Sequence, residues 1–398
     1  MKILLVHNSY QQDGGEDEVF ANERELLLSN GHEVVEYIRS NEEIRDYGIW
    51  DKTTLGLRAI WAWDSERELR ELLKQERPDV AHFHNTFPLI SPAAYSACQD
   101  AGVPVVQSLH NPRLLCPAAT LQRDGHVCED CVGKTLAWPG VLHGCYHDST
   151  VQTGIVASML TVHRFLKTWV RHVDAYIVFT EFYRRKFTAA GLPSEKIVLK
   201  PHFVAPDPGQ TNDEQNYALF VGRLAAEKGV ETLLGAWERV MGIPLKIRGT
   251  GPLEDRVGLL ARNSMYQVSL IPRVAKHDLM ALLKKARFLI WPSLGNYETF
   301  GLVAVEAFAC GIPVIASRLG SMAEIVEDGK TGLHFTAGDE VDLVAKVEWA
   351  WTHPQEMEAM GRAARREYDE KYTSAANYKR LMEIYEMVLS KAIPAMTE

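Results

Sequence analysis

The chain has 398 residues, 46% of them hydrophobic and 24% charged, an ordinary composition for a folded globular protein. That length points to two or three domains, and the apolar fraction excludes a fibrous or disordered chain. Forty-three basic residues against fifty-two acidic ones leave a net charge of −9. This argues against nucleic acid as the main partner, because a phosphate backbone selects a basic surface.

No apolar run approaches the ~20 residues that span a bilayer. The opening MKILLVH runs into the polar NSYQQDGGEDE, so it reads as a strand and not as a signal peptide. A cytoplasmic location is therefore expected, with six reduced cysteines.

In the first half, KILLVH (2–7), EVVEYI (33–38), DVAHFH (79–84), PVVQSLH (104–110), AYIVFT (175–180) and KIVLKPH (196–202) read as strands. Several lack a polar face, as in parallel strands buried on both sides. Amphipathic helices are expected over 17–30 and 65–75. The segment 111–150 shows no clear periodicity. The polar VAPDPGQTNDEQ (204–215) reads as a linker.

The second half repeats the alternation. Strands are expected at 216–222, 244–249, 268–272, 287–292, 313–317 and 332–335, with helices at 229–241, 253–263, 276–286, 302–310 and 340–352. Helices 355–371 and 374–391 close the chain. Alternating strands and helices imply βαβ units and doubly wound sheets.

The segment SLGNYETFGLVAVEAFACGIPVIAS (293–317) carries the strongest chemical signal. A strand ends at Pro292, a short loop carries Glu298 and Gly301, and a helix begins near Leu302. Ligands bind at the carboxyl ends of strands in such sheets. A helix N-terminus there offers unpaired N–H groups and a positive dipole end to phosphate. Glu306 lies one turn into the helix and leans back toward the same place. A diphosphate would repel both carboxylates, so they suit sugar hydroxyls.

The E-x7-E pair Glu298 and Glu306 resembles the signature of retaining GT-B glycosyltransferases of family 4. VGRLAAEKGVETLL (221–234), GTGP (249–252) and GSMAEIVEDGKTGLHF (320–335) are similar to further segments of that family. The resemblance implies two Rossmann-like domains with a cleft between them. They are expected over 1–205, with an insertion at 111–150, and over 206–375. A final helix at 376–398 is expected to pack back on the first domain.

The resemblance also implies roles. Glu298 holds sugar hydroxyls and Glu306 the ribose. Arg223 and Lys228 meet the donor diphosphate, as do the amides of Gly301, Leu302 and Val303, with Phe300 beside them. Gly14 and Gly15 resemble the family's glycine loop, and His110 the histidine that closes over the donor sugar. Arg273 borders the base, although IPRV (271–274) lacks the glycine usual there. No Asp-x-Asp metal motif is evident near this site, so a metal-independent transfer is expected. The acceptor implied is a cell-surface polysaccharide or its lipid-linked precursor.

Cys116, Cys128, Cys131 and Cys145 form a second constellation. CEDC is a C-x2-C knuckle, and four thiolates at such spacing suit a structural zinc. Four separate buried thiols are the alternative. VQTGIVASMLTVHRFLKTWVRH (151–172) and YRRKF (183–187) combine apolar and basic residues. They read either as peripheral contact with an anionic membrane or as an ordinary packed helix.

Other function classes fit less well. An NAD-dependent oxidoreductase needs G-x-G-x-x-G after the first strand, where HNSYQQDGG stands instead. A phosphorylase or hydrolase on the same fold is the closer rival. A non-catalytic nucleotide-sugar-binding protein would typically have lost the phosphate cations or Glu298.

Overall fold

The computed structural model describes residues 1–10, 15–210, 215–272, 275–295 and 298–392. Two compact units emerge. Unit 1 comprises Met1–Leu121, Cys128–Lys200 and Tyr378–Glu398, and unit 2 comprises Gln122–Val127 and Pro201–Asn377.

Unit 1 is built on a parallel sheet of β1 (Lys2–Ser9), β2 (Glu33–Ser40), β3 (Val80–Phe83), β4 (Val105–Ser108), β7 (Ala175–Val178) and β8 (Ile197–Leu199). A two-stranded antiparallel ribbon, β5 (Gln122–Arg123) and β6 (His126–Val127), lies between β4 and β7 in sequence. The sheet order is β2-β1-β3-β4-β7-β8, with Leu4 opposite both Val35 and Ala81. Inner strands are buried along nearly all of their length and are mostly apolar, with buried polar residues such as His82 and Gln107 among them. Edge strand β2 stays half-exposed.

Unit 2 holds β9 (Tyr217–Val221), β10 (Leu245–Arg248), β11 (Val268–Ile271), β12 (Ala286–Trp291), β13 (Val314–Ser317) and β14 (Gly332–Phe335). All pair in parallel, in the order β11-β10-β9-β12-β13-β14. Strand order therefore reverses between β9 and β12. In unit 1 it reverses between β1 and β3. Such switch points open a crevice at the carboxyl ends of the strands.

Six helices matter below: α1 (Gly15–Ser29), α2 (Trp138–Leu142), α3 (Thr150–Phe165), α4 (Val230–Trp237), α5 (Leu302–Ala309) and α6 (Ser374–Ala392). Ser149 caps α3 by accepting from the Gln152 N–H. The helical stretch expected over 151–172 is broken. Lys167 adopts φ +57°, and a separate turn follows at Thr168–Arg171. From Tyr378 onward α6 belongs to unit 1, where Tyr378 Oη meets His32 Nε2 at 2.8 Å and Arg380 donates to the Leu199 carbonyl at 3.1 Å.

Two readings of the segments between elements change. The β5–β6 ribbon stands inside 111–150, where no periodicity was evident. Its turn, Asp124-Gly125, has φ of 52° and 78°, and Asp-Gly is a hairpin signal in its own right. The polar stretch 204–215 begins as a bound segment of unit 2. Tyr368 donates to the Val204 carbonyl at 3.0 Å, and Arg365 grips both oxygens of Asp207 at 2.8 and 2.6 Å. Residues 211–214 of it lie outside the described residues.

Candidate active site

The chain leaves β9 at Gly222 and β12 at Pro292, on the two sides of the unit 2 switch point. Gly229, at φ +72°, lets these loops touch: a Cβ there would stand 1.9 Å from the Pro292 carbonyl oxygen. Gly301 has the same necessity at the start of α5, where a Cβ would lie 1.9 Å from the Trp291 ring.

Between the loops Lys228 Nζ lies 2.6 Å from Glu298 Oε1. The buried Ser293 hydroxyl donates to that same oxygen at 2.9 Å. Arg223 is mostly exposed and pairs with Glu227. Helix α5 starts at Leu302 without a side-chain cap. Gly301 O accepts the Ala304 and Val305 N–H groups at 2.9 and 3.2 Å. The N–H groups of Leu302 and Val303 precede any intrahelical partner. They form the positive end of the helix dipole.

Glu306 is buried, with Lys276 Nζ at 3.9 Å. Phe300 is also buried. Its ring packs on His202 and Tyr372 with centroids at 5.0 and 5.9 Å. Phe300 thus anchors the loop that carries Glu298. Arg273 lies outside the described residues.

In unit 1, His110 follows β4, and Gly15 opens α1 with open space around it. Gly14 lies outside the described residues. His110 helps line a cavity of about 60 Å³ with His84, Tyr95, Gln107 and Arg113. A larger pocket of about 550 Å³, lined by Arg70, Pro78 and Gly102, sits at the amino ends of β3 and β4, the wrong end for a ligand crevice.

Several titratable groups of unit 1 gave no signal as a motif. His7 Nε2 pairs with Asp17 at 2.9 Å. Burial, and then Asp17, push the Glu16 carboxyl up to about 8. Buried Glu23 contacts His82, His84 and Lys200. DVAHFH reads as a strand, and its two histidines carry no motif of their own. Their spacing of two put both on one face of β3, and that was the available clue.

The four cysteines are reduced. Burial, and then interactions led by Cys116 and Cys145, push the Cys131 thiol up to about 11. Cys131 and Cys145 both lie against Gly140. A Cβ there would stand 3.3 Å from both Cys131 Sγ and Pro117, and Cys145 N donates to the Gly140 carbonyl at 3.1 Å. Among the described residues, the group with three ligand atoms within 4.8 Å of one another is Glu23, His82 and His84. No three of these sulfurs therefore lie within 4.8 Å of one another, wider than the roughly 3.8 Å spacing of a tetrahedral zinc site.

Comparison with known proteins agrees with this architecture. Residues 14–202 match the family model described as a glycosyl transferase 4-like domain, and residues 205–367 match glycosyl transferases group 1. Over 135 residues the chain is 35% identical to an uncharacterized glycosyltransferase of Methanocaldococcus jannaschii, covering 34% of this chain and 38% of that protein. It is 31% identical over 160 residues to the D-rhamnosyltransferase WbpZ of Pseudomonas aeruginosa, covering 40% and 42%. The matched regions thus span less than half of these relatives.

Among solved structures, Anabaena HepE in complex with UDP and glucose superposes with a TM-score of 0.68 at 17% identity, covering 97% of this chain and 99% of that one. Sucrose-phosphate synthase from Thermosynechococcus elongatus gives 0.69 at 17%, covering 98% and 99%. At such identity the likeness is one of fold. With one family model over each half, two parallel-sheet α/β units and these structural neighbours, the chain belongs to the group 1 glycosyltransferases of GT-B fold.

Proposed function

We propose that the protein is a retaining, family 4 hexosyltransferase that moves a sugar from a nucleotide-sugar donor to a glycan or lipid-linked acceptor. The Lys228–Glu298 contact carries this reading. It joins a phosphate-seeking cation to a hydroxyl-seeking carboxylate at the unit 2 switch point, beside the N-terminus of α5. Glu298 grips the transferred sugar and Glu306 the ribose. Arg223, Lys228 and the amides of Gly301, Leu302 and Val303 stabilise the departing diphosphate, whose charge grows as the glycosidic bond breaks. His110 serves the donor sugar, and Gly15, with Gly14, the donor phosphates and acceptor. Neighbour HepE has been crystallised with UDP and glucose, which supports a uridine nucleotide as the first donor to try.

A thermal-shift screen against nucleotide sugars tests the donor. A ligand at 100 times its dissociation constant adds about 2.7 kcal/mol of stability. Transfer to a glycan acceptor with retained anomeric configuration is the expected product. Sugar released to water or to phosphate at the same rate with and without acceptor would favour a hydrolase or phosphorylase instead.

Two finer features belong to this reading. Among the described residues no helix is long and apolar enough to cross a membrane, but α2 and the end of α3 expose a patch suited to an anionic bilayer surface. Phe165 is 84%, Leu142 69% and Trp138 52% exposed. The segment 134–135 is tied to α3, since Arg164 donates to the Lys134 and Thr135 carbonyls. Leu136 and Trp138 thereby lie beside α3, with Lys167 and Arg171 following in sequence. Apolar residues bordered by cations suit peripheral attachment. The four cysteines form the second feature. A single zinc would draw them together and staple the segment between β4 and α3, and it would take no part in transfer.

A further inference from the structure

At the unit 1 switch point, buried side chains form a chain of contacts ending on His110. Lys200 Nζ lies 2.8 Å from Glu23 Oε2. The other oxygen, Oε1, faces His82 Nδ1 at 2.9 Å and His84 Nε2 at 3.2 Å. His84 Nδ1 then meets His110 Nε2 at 3.0 Å. The His110 ring packs near-parallel to His84 and tilted against Phe179, at 17° and 34°, with centroids 5.1 Å away in each case. Glu23, His82, His84 and Lys200 are all no more than 2% exposed.

We infer that Glu23 and His84 are positioning residues that fix the His110 ring in its Nε2–H tautomer. This rests on the proposed role of His110 in transfer.

The hydrogen-bond logic runs outward from Glu23. Burial alone would raise its pKa, but Lys200, and then His82, hold the carboxyl well below the usual range. As a carboxylate it only accepts. His84 Nε2 stands 3.2 Å from Oε1 without hydrogen-bond alignment, and we assign the His84 proton to Nε2 because that nitrogen faces the negative charge. Burial, and then His82, push the His84 imidazole down to about 4, so the ring is neutral and its Nδ1 is an acceptor. His110 then donates from Nε2 and keeps Nδ1 as its acceptor atom. Packing against both rings restricts the imidazole while the contact with His84 sets its proton. A metal ion fits the cluster poorly. Two more positive charges beside the Lys200 ammonium would face a single carboxylate in a dry core.

Nitrogen-15 NMR of the full chain labelled at histidine tests this, with His110 assigned by comparison with His110→Gln. The wild-type spectrum alone decides the first point, whether or not any variant folds: His110 should show a protonated Nε2 and a bare Nδ1 at pH 7. In His84→Leu the His110 tautomer should become mixed, and kcat should fall roughly tenfold or more with KM little changed. In His84→Asn the amide oxygen stands where Nδ1 was, so the tautomer and much of kcat should return. An Nδ1–H tautomer in wild type, a tautomer indifferent to His84→Leu, or a stoichiometric metal ion on Glu23, His82 and His84 would each overturn the inference. A His110→Ala variant with unchanged kcat would instead defeat the transfer role of His110, and the spectra keep the two failures apart.

Discussion

Lys228 and Glu298 stand 70 positions apart in sequence, yet Nζ and Oε1 are 2.6 Å apart. The pair ties the loop after β9 to the loop after β12. It also couples the two proposed ligand contacts. A diphosphate offers Lys228 rival acceptors, and a sugar offers Glu298 rival donors.

That coupling shapes what substitution should do. Lys228→Ala should weaken bare UDP by roughly 10- to 150-fold, the range of a 1.5–3 kcal/mol charged hydrogen bond. Glu306→Ala should weaken it similarly through the ribose. Glu298→Ala should lower kcat and kcat/KM together. It should leave UDP affinity unchanged or tighter, because it releases Lys228. Calorimetry with UDP separates the three. Weakening by Glu298→Ala equal to that by Glu306→Ala would reverse the assignment of the carboxylates.

Gly301→Ala should be damaging for a steric reason. Its Cβ would lie 1.9 Å from the Trp291 ring, so the ring or the start of α5 must move. A cost of about 1–3 kcal/mol is expected, together with weaker UDP binding. Gly258→Ala is the control, since nothing lies within 4 Å of its added Cβ. In its helix, Glu254–Ala261, alanine should stabilise by up to ~1 kcal/mol. Equal melting temperatures for the two variants would refute the packing argument.

His84 predicts an acid-sensitive fold. Its imidazole is pushed from 6.5 down to about 4, so between these values the unfolded chain binds the extra proton. Stability from this group is complete above about pH 6.5 and is lost as pH falls toward 4. One proton gives a slope of up to ~1.4 kcal/mol per pH unit. Urea unfolding of unit 1 between pH 7.5 and 5 should show a steeper decline in wild type than in His84→Asn. Identical slopes would mean that His84 charges in the folded protein.

The cysteine cluster should hold one zinc per chain in untagged protein, by elemental analysis. Removing it with a strong chelator should loosen the segment between β4 and α3, making it a site of early proteolysis. Cys131→Ser should abolish the stoichiometric metal. Metal content well below one per chain, with proteolysis unchanged by chelator, would leave four separate thiols.

The exposed patch should bind vesicles containing a third phosphatidylglycerol and not vesicles of phosphatidylcholine alone. Phe165→Asp should reduce co-sedimentation several-fold while kcat on a soluble acceptor is kept. Binding that ignores both lipid charge and Phe165 would rule out this surface.

Much of the architecture was legible locally. Strands buried on two faces are largely apolar, so strands such as β1 and β12 announced themselves as the runs KILLVH and RFLIW. The α5 site was legible for a similar reason. A strand end, a glycine that must clear Trp291 and a helix start are consecutive in sequence, so Glu298 and Glu306 could be placed without knowing the sheet.

Other features were decided only by long-range packing. Strand order brings the loop after β9 against the loop after β12, and nothing within 221–234 or 293–301 says that Lys228 will meet Glu298. DVAHFH reads only as a strand, and nothing in it gives its histidines a role. They became a relay because α1 delivers Glu23 and β8 leads into Lys200 at the same buried point. A buried charge is tolerable only where partners from several elements converge. Local sequence carries period and turn chemistry, while that convergence exists only in the folded chain.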